Sequence, residues 1–178
     1  DHAVLELSDP LIDNLPKNYR IESRYLLANS HFRLKDYKNA ADEFNKILED
    51  EDTGEKSDKI KYGLAHVFFQ MQNYDEAYKL FNRLSQIGED TIAINSLFWS
   101  GECKRYQNDE ALALSIFDRF LSKYPRAEKA PAARFYSGVI YYNKGDYEKA
   151  EKFLQQSIQN TDNVVKAKSL IFLGDIFL

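Results

Sequence analysis

Few residues in this sequence could carry out chemistry, and they do not form a recognisable catalytic or metal-binding pattern. The three histidines are His2, His31 and His66, and no carboxylate recurs beside His31 or His66 at the spacing of metal ligands. The single cysteine, Cys103, falls within a predicted helix and has no triad partner nearby. We therefore interpret Cys103 as a small buried hydrophobic residue, His31 as a partly buried packing residue and His66 as a residue that could contact a ligand.

One acidic run resembles part of a calcium-binding loop. It extends from Glu49 to Asp52 and is followed by Thr53 and Gly54. The glycine comes one position too early and the closing glutamate is absent, so the sequence predicts a solvated acidic turn instead. The sequence also contains no glycine-rich phosphate loop, no Gly-x-Ser-x-Gly motif and no His-Glu-x-x-His motif. We therefore predict no metal site, no cofactor and no enzymatic activity.

The composition is that of a globular helical protein. The 178 residues include 24 Lys and Arg and 28 Asp and Glu, which gives a net charge of −4. This mild acidity disfavours nucleic acid as the main partner, because phosphate binding needs a basic patch. One cysteine excludes an internal disulfide, and no apolar run approaches the ~18 residues of a membrane span. Glycine and proline are scarce, at 7 and 4, which favours helices with few tight turns.

The sequence repeats itself at intervals of 36 or 37 residues. Each copy begins with an aromatic residue, which is followed by a small residue, then an alanine, then a bulky apolar residue. In the first copy these residues are Tyr25, Ala28, Ala40 and Phe44. Since small residues let two helices approach closely, we predict that Ala28 and Ala40 lie where two helices meet. The corresponding residues of the later copies are Tyr62, Ala65, Ala77 and Phe81; Phe98, Gly101, Ala113 and Phe117; and Phe135, Gly138, Ala150 and Leu154.

The apolar residues within each copy follow helical spacing, so the predicted fold class is all-α. Short polar turns divide each copy into two helices. We expect Pro125 to end one helix and Pro131 to open the next at its first turn. The predicted helices span roughly residues 19–34, 37–50, 57–71, 74–87, 91–106, 110–123, 130–143, 147–160 and 164–178.

The repeat resembles the tetratricopeptide repeat. The similarity covers about residues 21 to 178 and is best in the fourth copy, Phe135-Tyr-Ser-Gly-Val-Ile-Tyr-Tyr-Asn-Lys-Gly-Asp-Tyr-Glu-Lys-Ala150. It implies a right-handed superhelical solenoid of about four and a half helix–turn–helix repeats, whose first helices line a concave groove that binds peptides or partner domains. The third copy departs from the pattern at Lys104, where the others carry His31, Phe68 and Tyr141. The implied copies lie near residues 21–57, 58–93, 94–130 and 131–166, with the first helix of a fifth at 167–178 and a remnant of a preceding repeat at 1–20.

A narrower similarity concerns bacterial cell-envelope proteins of this repeat class, such as the Tol–Pal coordinator and outer-membrane assembly lipoproteins. The chain shares with them the Phe120-Leu-Ser-Lys-Tyr-Pro125 ending of the third copy. Its repeat is also longer than the usual 34 residues. This resemblance favours a periplasmic or cell-envelope location, with the cytoplasm as the alternative.

The resemblance also indicates which residues would face the groove. The predicted partner-binding residues are Tyr25, Asn29, Phe32, Tyr62, His66, Phe69, Phe98, Glu102, Arg105, Phe135, Val139 and Tyr142. Tyrosine and arginine are common anchors in protein interfaces, which favours a binding role. The alternative is that many of these aromatic residues pack against the neighbouring helix pair. Some members of the class grip a C-terminal carboxylate here, but the column that would supply the first cation holds only Tyr25, Tyr62, Phe98 and Phe135, so such a clamp is not expected.

We predict a non-enzymatic scaffold that binds a protein or peptide partner. The alternative is a self-assembling repeat module, and an enzyme or metal protein is a remote third hypothesis. The predicted last helix, from Val164 to Leu178, has more apolar residues than one packing face needs, so we expect self-association through a C-terminal edge near Phe172 and Phe177. Because the sequence starts at Asp1 without a signal segment and lacks a polar last helix, we expect a fragment or mature product whose parent protein continues past Leu178.

Overall fold

The computed structural model describes residues 9–49, 56–159 and 163–178. The chain divides into two compact units, of which unit 1 ends at Gly88 and unit 2 begins at Glu89. The described part of unit 1 contains α1 (Asp9–Asp13), α2 (Lys17–Arg33), α3 (Tyr37–Glu49), α4 (Ser57–Gln70) and α5 (Tyr74–Leu84). The described part of unit 2 contains α6 (Thr91–Tyr106), α7 (Glu110–Lys123), α8 (Ala130–Asn143), α9 (Tyr147–Ser157) and α10 (Asn163–Ile176).

The all-α prediction is confirmed, and the helices form sequential antiparallel pairs. In unit 1, α2 packs against α3 and α4 against α5; in unit 2, α6 packs against α7 and α8 against α9. All nine predicted helices are present, with ends within three residues of the predicted positions. No helix in the described ranges is long and apolar enough to cross a membrane. The predicted acidic turn lies outside the described residues, apart from Glu49.

The small residues of the repeat lie where the helices of a pair meet, as predicted. Gly138 of α8 faces Leu154 of α9, and a Cβ atom on this glycine would come within 2.8 Å of Leu154 Cγ. Bulky residues could not be accommodated at these positions without separating the helices. The alanines in the equivalent columns are fully buried as well: Ala28, Ala40, Ala65, Ala77, Ala113 and Ala150.

Each helix pair is joined by a turn that contains one residue in the left-handed backbone region. The φ angle is 61° at Lys35, 60° at Gln72, 59° at Asn108 and 75° at Gly145. Only the glycine adopts this conformation without steric cost. The next residue in each turn accepts a hydrogen bond from a backbone N–H of the following helix and so caps it. These capping residues are Asp36, Asn73, Asp109 and Asp146.

Two prolines set the ends of neighbouring helices in unit 2. α7 ends at Lys123, two residues before Pro125, and Pro131 is the second residue of α8. Proline is tolerated in the first helical turn because the N–H that it lacks would have no intrahelical partner there. Both predictions about these prolines are confirmed.

Neither α1 nor the ion pairs that attach it to unit 1 were predicted from the sequence. Arg24 of α2 is only 6% exposed, and its Nη1 donates a hydrogen bond to Glu43 Oε2 of α3 at 2.6 Å. Its Nη2 donates to Asp13 Oδ1 of α1, and Lys46 Nζ donates to Glu43 Oε1 at 2.6 Å. Removing one partner from such a buried pair is destabilising, because the remaining charge loses its compensation.

Candidate functional site

The predicted binding residues of unit 1 are half-buried and lie on α2 and α4. We call this set the aromatic surface; it comprises Tyr25, Asn29, Phe32, Tyr62, His66 and Phe69. The Tyr25 ring meets Phe44 edge-on, with ring centroids 5.9 Å apart, and Tyr62 meets Phe81 in the same way at 5.8 Å. Phe44 and Phe81 belong to the buried core, so the core fixes the orientation of the two tyrosine rings.

The polar groups of the aromatic surface are held by local contacts. Asn29 Nδ2 donates a hydrogen bond to the Tyr25 carbonyl oxygen at 2.7 Å. The His66 ring packs edge-on against Tyr62, with centroids 4.6 Å apart. Lys59 Nζ lies 4.8 Å from the centre of the Tyr25 ring, which is a cation–π distance. A partner would therefore meet mainly aromatic rings in unit 1, with a lysine ammonium beside one of them.

His31 has the packing position predicted for it. Its side chain is 13% exposed, and its Nδ1 lies 3.1 Å from Asp36 Oδ2. Asp36 also accepts a hydrogen bond from Asn39 Nδ2 at 2.7 Å. The hydrogen bond from Asn39 and, to a smaller extent, the interaction with His31 hold the pKa of Asp36 below its usual value. His31 thus connects the end of α2 to the capping residue of α3.

Three of the predicted binding residues of unit 2 are buried. Phe98, Glu102 and Phe135 are 4%, 3% and 8% exposed. The Phe98 ring packs against Phe117 at 5.9 Å between centroids, and the Phe135 ring packs against Phe172 at 6.0 Å. The packing alternative therefore holds for these two phenylalanines, which cannot contact a partner directly. A phenylalanine ring can be covered completely, whereas a tyrosine hydroxyl must reach water or a hydrogen-bond partner.

Arg105 is the centre of a cluster of charged and aromatic side chains in unit 2. Its Nε and Nη2 donate hydrogen bonds to Glu102 Oε1 and Oε2 at 2.8 and 3.0 Å. Its guanidinium carbon lies 4.3 Å from the centre of the Tyr106 ring and 4.4 Å from that of Tyr136. We call Glu102, Arg105, Tyr106 and Tyr136 the arginine cluster. The Arg105 side chain is 26% exposed, so its guanidinium is fixed by its neighbours but still reaches solvent.

Burial sets the protonation behaviour of the arginine cluster. It raises the pKa of Glu102, although the hydrogen bonds from Arg105 act in the opposite direction. Burial alone would lower the pKa of Arg105, but the hydrogen bonds to Glu102, the attraction of its charge and the interactions with Tyr106 and Tyr136 together outweigh burial and raise that pKa. Burial and the Glu102 charge raise the pKa of Tyr136 to about 12. The Tyr136 phenol is therefore protonated at neutral pH, and the Arg105 guanidinium lies against two aromatic rings and the Glu102 carboxyl group.

The other two predicted residues of unit 2, Val139 and Tyr142, are half-buried on α8. The Tyr142 ring packs edge-on against Phe172 of α10 at 5.1 Å and against Tyr147 of α9 at 5.6 Å. Tyr106 and Tyr136 were not predicted from the sequence. Their signal is weak, because each directly follows a predicted residue and so lies off the helical spacing of the predicted face.

Cys103 is fully buried, as predicted. Burial and the nearby Glu102 charge raise the pKa of its thiol to about 12. The thiol is therefore protonated at neutral pH and is a poor nucleophile and metal ligand. Within the part of the chain that the structure describes, no group of three or more His, Cys, Asp or Glu side chains is placed to hold a metal ion.

α10 and the residue that follows it, Phe177, expose apolar side chains, but the two residues predicted at this C-terminal edge differ in position. Phe177 is 68% exposed and Ile171 is 64% exposed. Phe172 instead packs edge-on against Phe135 at 6.0 Å and against Tyr142 at 5.1 Å. Of the predicted pair, Phe177 is therefore available to another molecule, and Phe172 belongs mainly to the core of unit 2.

Two family models match the chain. Residues 104–164 match the model described as tetratricopeptide repeat. Residues 11–84 match the model described as anaphase-promoting complex, cyclosome, subunit 3. Residues 104–164 are thus similar to the tetratricopeptide repeat, in agreement with the paired helices and the repeated columns of small residues. No curated protein sequence matches the chain significantly.

Several solved structures share the fold. YrrB, described as a TPR protein with an unusual peptide-binding site, is 22% identical over 91% of this chain and 80% of its own, with a TM-score of 0.66. BtubC (BKLC) from P. vanneervenii is 20% identical over 92% of this chain and 68% of its own, with a TM-score of 0.65. A Rap protein in complex with competence and sporulation factor is 17% identical over 96% of this chain and 47% of its own, with a TM-score of 0.62. At these identities the similarity shows the fold alone.

Proposed function

We propose that this chain is a non-catalytic scaffold that binds a peptide or partner protein through the aromatic surface of unit 1. The observation that carries the proposal is the way in which the tyrosine rings are held. Tyr25 and Tyr62 are anchored edge-on against buried rings of the core, and each keeps part of its surface exposed. Aromatic side chains whose orientation is already fixed lose little conformational entropy on binding. They are also common among the residues that dominate binding energy.

Arg105 is proposed as a second contact, in unit 2. Its guanidinium is oriented by Glu102 and by the rings of Tyr106 and Tyr136, so it too is ordered before a partner arrives. Phe98 and Phe135, which the sequence analysis included, support this region from the core. The proposed contacts in unit 2 are therefore Arg105, Val139 and Tyr142.

The class of protein and two of the similar structures support a binding function. Tetratricopeptide repeats are typically non-catalytic modules that bind proteins or peptides. YrrB is described as having a peptide-binding site, and the Rap structure is a complex with competence and sporulation factor. The cell-envelope location remains a prediction from sequence resemblance, since the similar structures do not support it. The repeat boundaries likewise remain predictions.

We expect a peptide selected from a random library against the whole chain to depend on the aromatic surface. The double variant Tyr62→Ala and Phe69→Ala should weaken binding of that peptide at least tenfold, because removing aromatic anchors from an interface costs about 2 kcal/mol or more. Fluorescence anisotropy with the labelled peptide measures the change. Circular dichroism must show that this double variant, and the control variant described next, remain helical.

Tyr19 and Leu26 provide the control for this experiment. Both lie on α2 and are 68% and 55% exposed, but neither belongs to the aromatic surface. The double variant Tyr19→Ala and Leu26→Ala should change binding less than twofold. An equal loss in both double variants, or failure to select any peptide, would contradict the proposed function.

Self-association is the second candidate function, and the exposed apolar side chains of α10 favour it. We expect the apparent mass in sedimentation velocity to rise with protein concentration, because exposed apolar patches tend to be covered by another surface. The double variant Ile171→Ser and Phe177→Ser should abolish the rise. The control, Met71→Ser and Ile87→Ser, removes two other side chains that are 44% and 55% exposed and should leave it unchanged. A constant mass in the wild-type protein rejects this candidate.

A further inference from the structure

Unit 2 contains a pocket of about 900 Å³ beside the turn between α7 and α8. Its wall is formed by residues 125–132 and Arg134, by Gln156 and Gln159 near the end of α9, and by Val165 of α10. This volume is within the range of about 300–1,000 Å³ that is typical of ligand-binding pockets. We call it the basic pocket. It shares no residue with the aromatic surface or the arginine cluster, so the proposed function does not account for it.

The charged residues of the basic pocket are mostly cations. Arg126, Lys129 and Arg134 line it, and Glu128 is the one carboxylate among the lining residues that the structure describes. Lys129 Nζ lies 3.1 Å from Glu128 Oε1, and Arg134 Nη2 donates a hydrogen bond to the Pro125 carbonyl oxygen at 2.9 Å. Arg126 is exposed and makes no hydrogen bond or ion pair with the described residues. The pocket thus carries a positive charge in a chain whose net charge is −4.

The beginning of α8 adds to this positive character. Lys129, the N-cap residue of α8, has no side-chain acceptor for the backbone N–H groups of the first turn. Pro131 has no N–H, and the N–H of Ala132 donates to no acceptor among the described residues. The N-terminal end of a helix carries a partial positive charge and offers unsatisfied N–H groups. The three side-chain cations, the concave shape of the pocket and this helix end therefore favour the same kind of ligand.

We propose that the basic pocket binds an acidic segment of a partner polypeptide, with Asp or Glu side chains near Arg126 and Lys129. The amides of Gln156 and Gln159 can donate hydrogen bonds to carboxylate or carbonyl oxygens of the bound segment. Pro125, Pro131 and Val165 provide apolar wall for its aliphatic groups. Charge complementarity of this kind increases the association rate and the specificity of an interface.

A peptide fits these observations better than a nucleic acid. Nucleic-acid binding depends on neutralising many regularly spaced phosphates, which requires an extended basic surface. Here only three cations line the pocket, and acidic residues outnumber basic ones in the chain as a whole. An acidic segment needs only two or three favourable charge contacts. Its charge density is lower than that of a nucleic acid, so the acidic residues of the rest of the protein repel it less.

Fluorescence anisotropy with the full chain and a labelled peptide of six glutamates tests this inference. We expect the hexaglutamate peptide to bind at low ionic strength and to bind more weakly as salt is raised, because salt screens exposed charges. A peptide of six glutamines should not bind. The double variant Arg126→Ala and Lys129→Ala should weaken binding of hexaglutamate about tenfold.

Arg119 and Lys152 supply the matched control. Both are exposed cations of unit 2, on α7 and α9, and neither lines the basic pocket. The double variant Arg119→Ala and Lys152→Ala changes the net charge by the same amount and should weaken binding less than twofold. Circular dichroism and melting temperature show whether the variants remain folded, and a pocket variant that melts early is replaced by Arg126→Gln alone.

Several results would overturn the inference. These are absence of hexaglutamate binding, equal binding of the glutamine peptide, an equal loss in the control variant, or tighter binding of a twelve-nucleotide oligothymidine than of hexaglutamate. Peptide binding at the aromatic surface should be unaffected by the pocket variant. The two sites can therefore fail independently.

Discussion

Gly101→Ala is expected to lower the free energy of unfolding by roughly 1–3 kcal/mol. A Cβ atom on Gly101 would lie 2.6 Å from Cε1 and 2.9 Å from Cδ1 of Phe117. The Phe117 ring is fully buried and packs against Phe98 at 5.9 Å and Tyr136 at 6.2 Å between centroids. It cannot move aside without displacing these neighbours. The added methyl group therefore forces α6 and α7 apart, which is the usual consequence of overpacking a core.

The same substitution in α10 provides a matched control. A Cβ atom on Gly174 would meet nothing within 4 Å. Because alanine favours the helix over glycine by about 0.5–1 kcal/mol, Gly174→Ala should stabilise unit 2. Urea unfolding followed by circular dichroism measures both variants. A Gly101→Ala variant as stable as the wild-type protein would mean that α6 and α7 do not approach this closely in solution.

The close approach at Gly101 could be predicted from the sequence because the fold is repeated. Four copies show the same column of small residues, and each copy is a separate sample of the same packing constraint. The column in which Gly101 replaces Ala28 and Ala65 therefore indicates a helix contact from the sequence alone. The helix ends were equally predictable, since an Asp or Asn recurs in the polar turn of each copy, and Pro125 and Pro131 mark the ends of two neighbouring helices.

The parts of the structure that the sequence did not predict depend on single copies. α1 and the ion pairs of Arg24 occur only once, at sequence separations of 11 and 19 residues. No periodicity indicates such contacts. The basic pocket could not be predicted from the repeat either. It is formed jointly by a turn, the end of one helix and the start of another.

The candidate site was predicted only in part, for a physical reason. Helical spacing identifies the residues that share a face, but it does not tell how deeply a neighbouring helix covers them. Phe98 and Tyr62 occupy the same column, yet Phe98 is buried and Tyr62 is half-buried. The aromatic rings that surround Phe98 come from α7 and α8, and their distances to Phe98 depend on the packing of three helices.

The wild-type protein is expected to lose stability between about pH 9 and 12, and the buried thiol of Cys103 should account for part of the loss. Burial and the Glu102 charge raise the pKa of this thiol from the ordinary value of 9.0 to about 12. The unfolded chain therefore releases the proton at a lower pH than the folded protein does. Below pH 9 both states hold the proton, and this group does not change stability with pH. Above pH 9, deprotonation of the thiol stabilises the unfolded state. The folded state is not stabilised in this way until the pH approaches 12, so the free energy of unfolding falls over this range.

Cys103→Ala separates this contribution from all other titrations. Each pKa unit corresponds to about 1.4 kcal/mol, so the wild-type protein should lose roughly 2–3 kcal/mol more than the variant between pH 8 and pH 11. Urea unfolding of both proteins at pH 8 and pH 11 gives the loss in the free energy of unfolding for each protein. The loss in the wild-type protein minus the loss in the variant is the contribution of the thiol. Deprotonation of Tyr136 and of the lysines affects both proteins alike and cancels. If the two proteins lose the same stability over this range, the thiol is not held protonated by the core of unit 2.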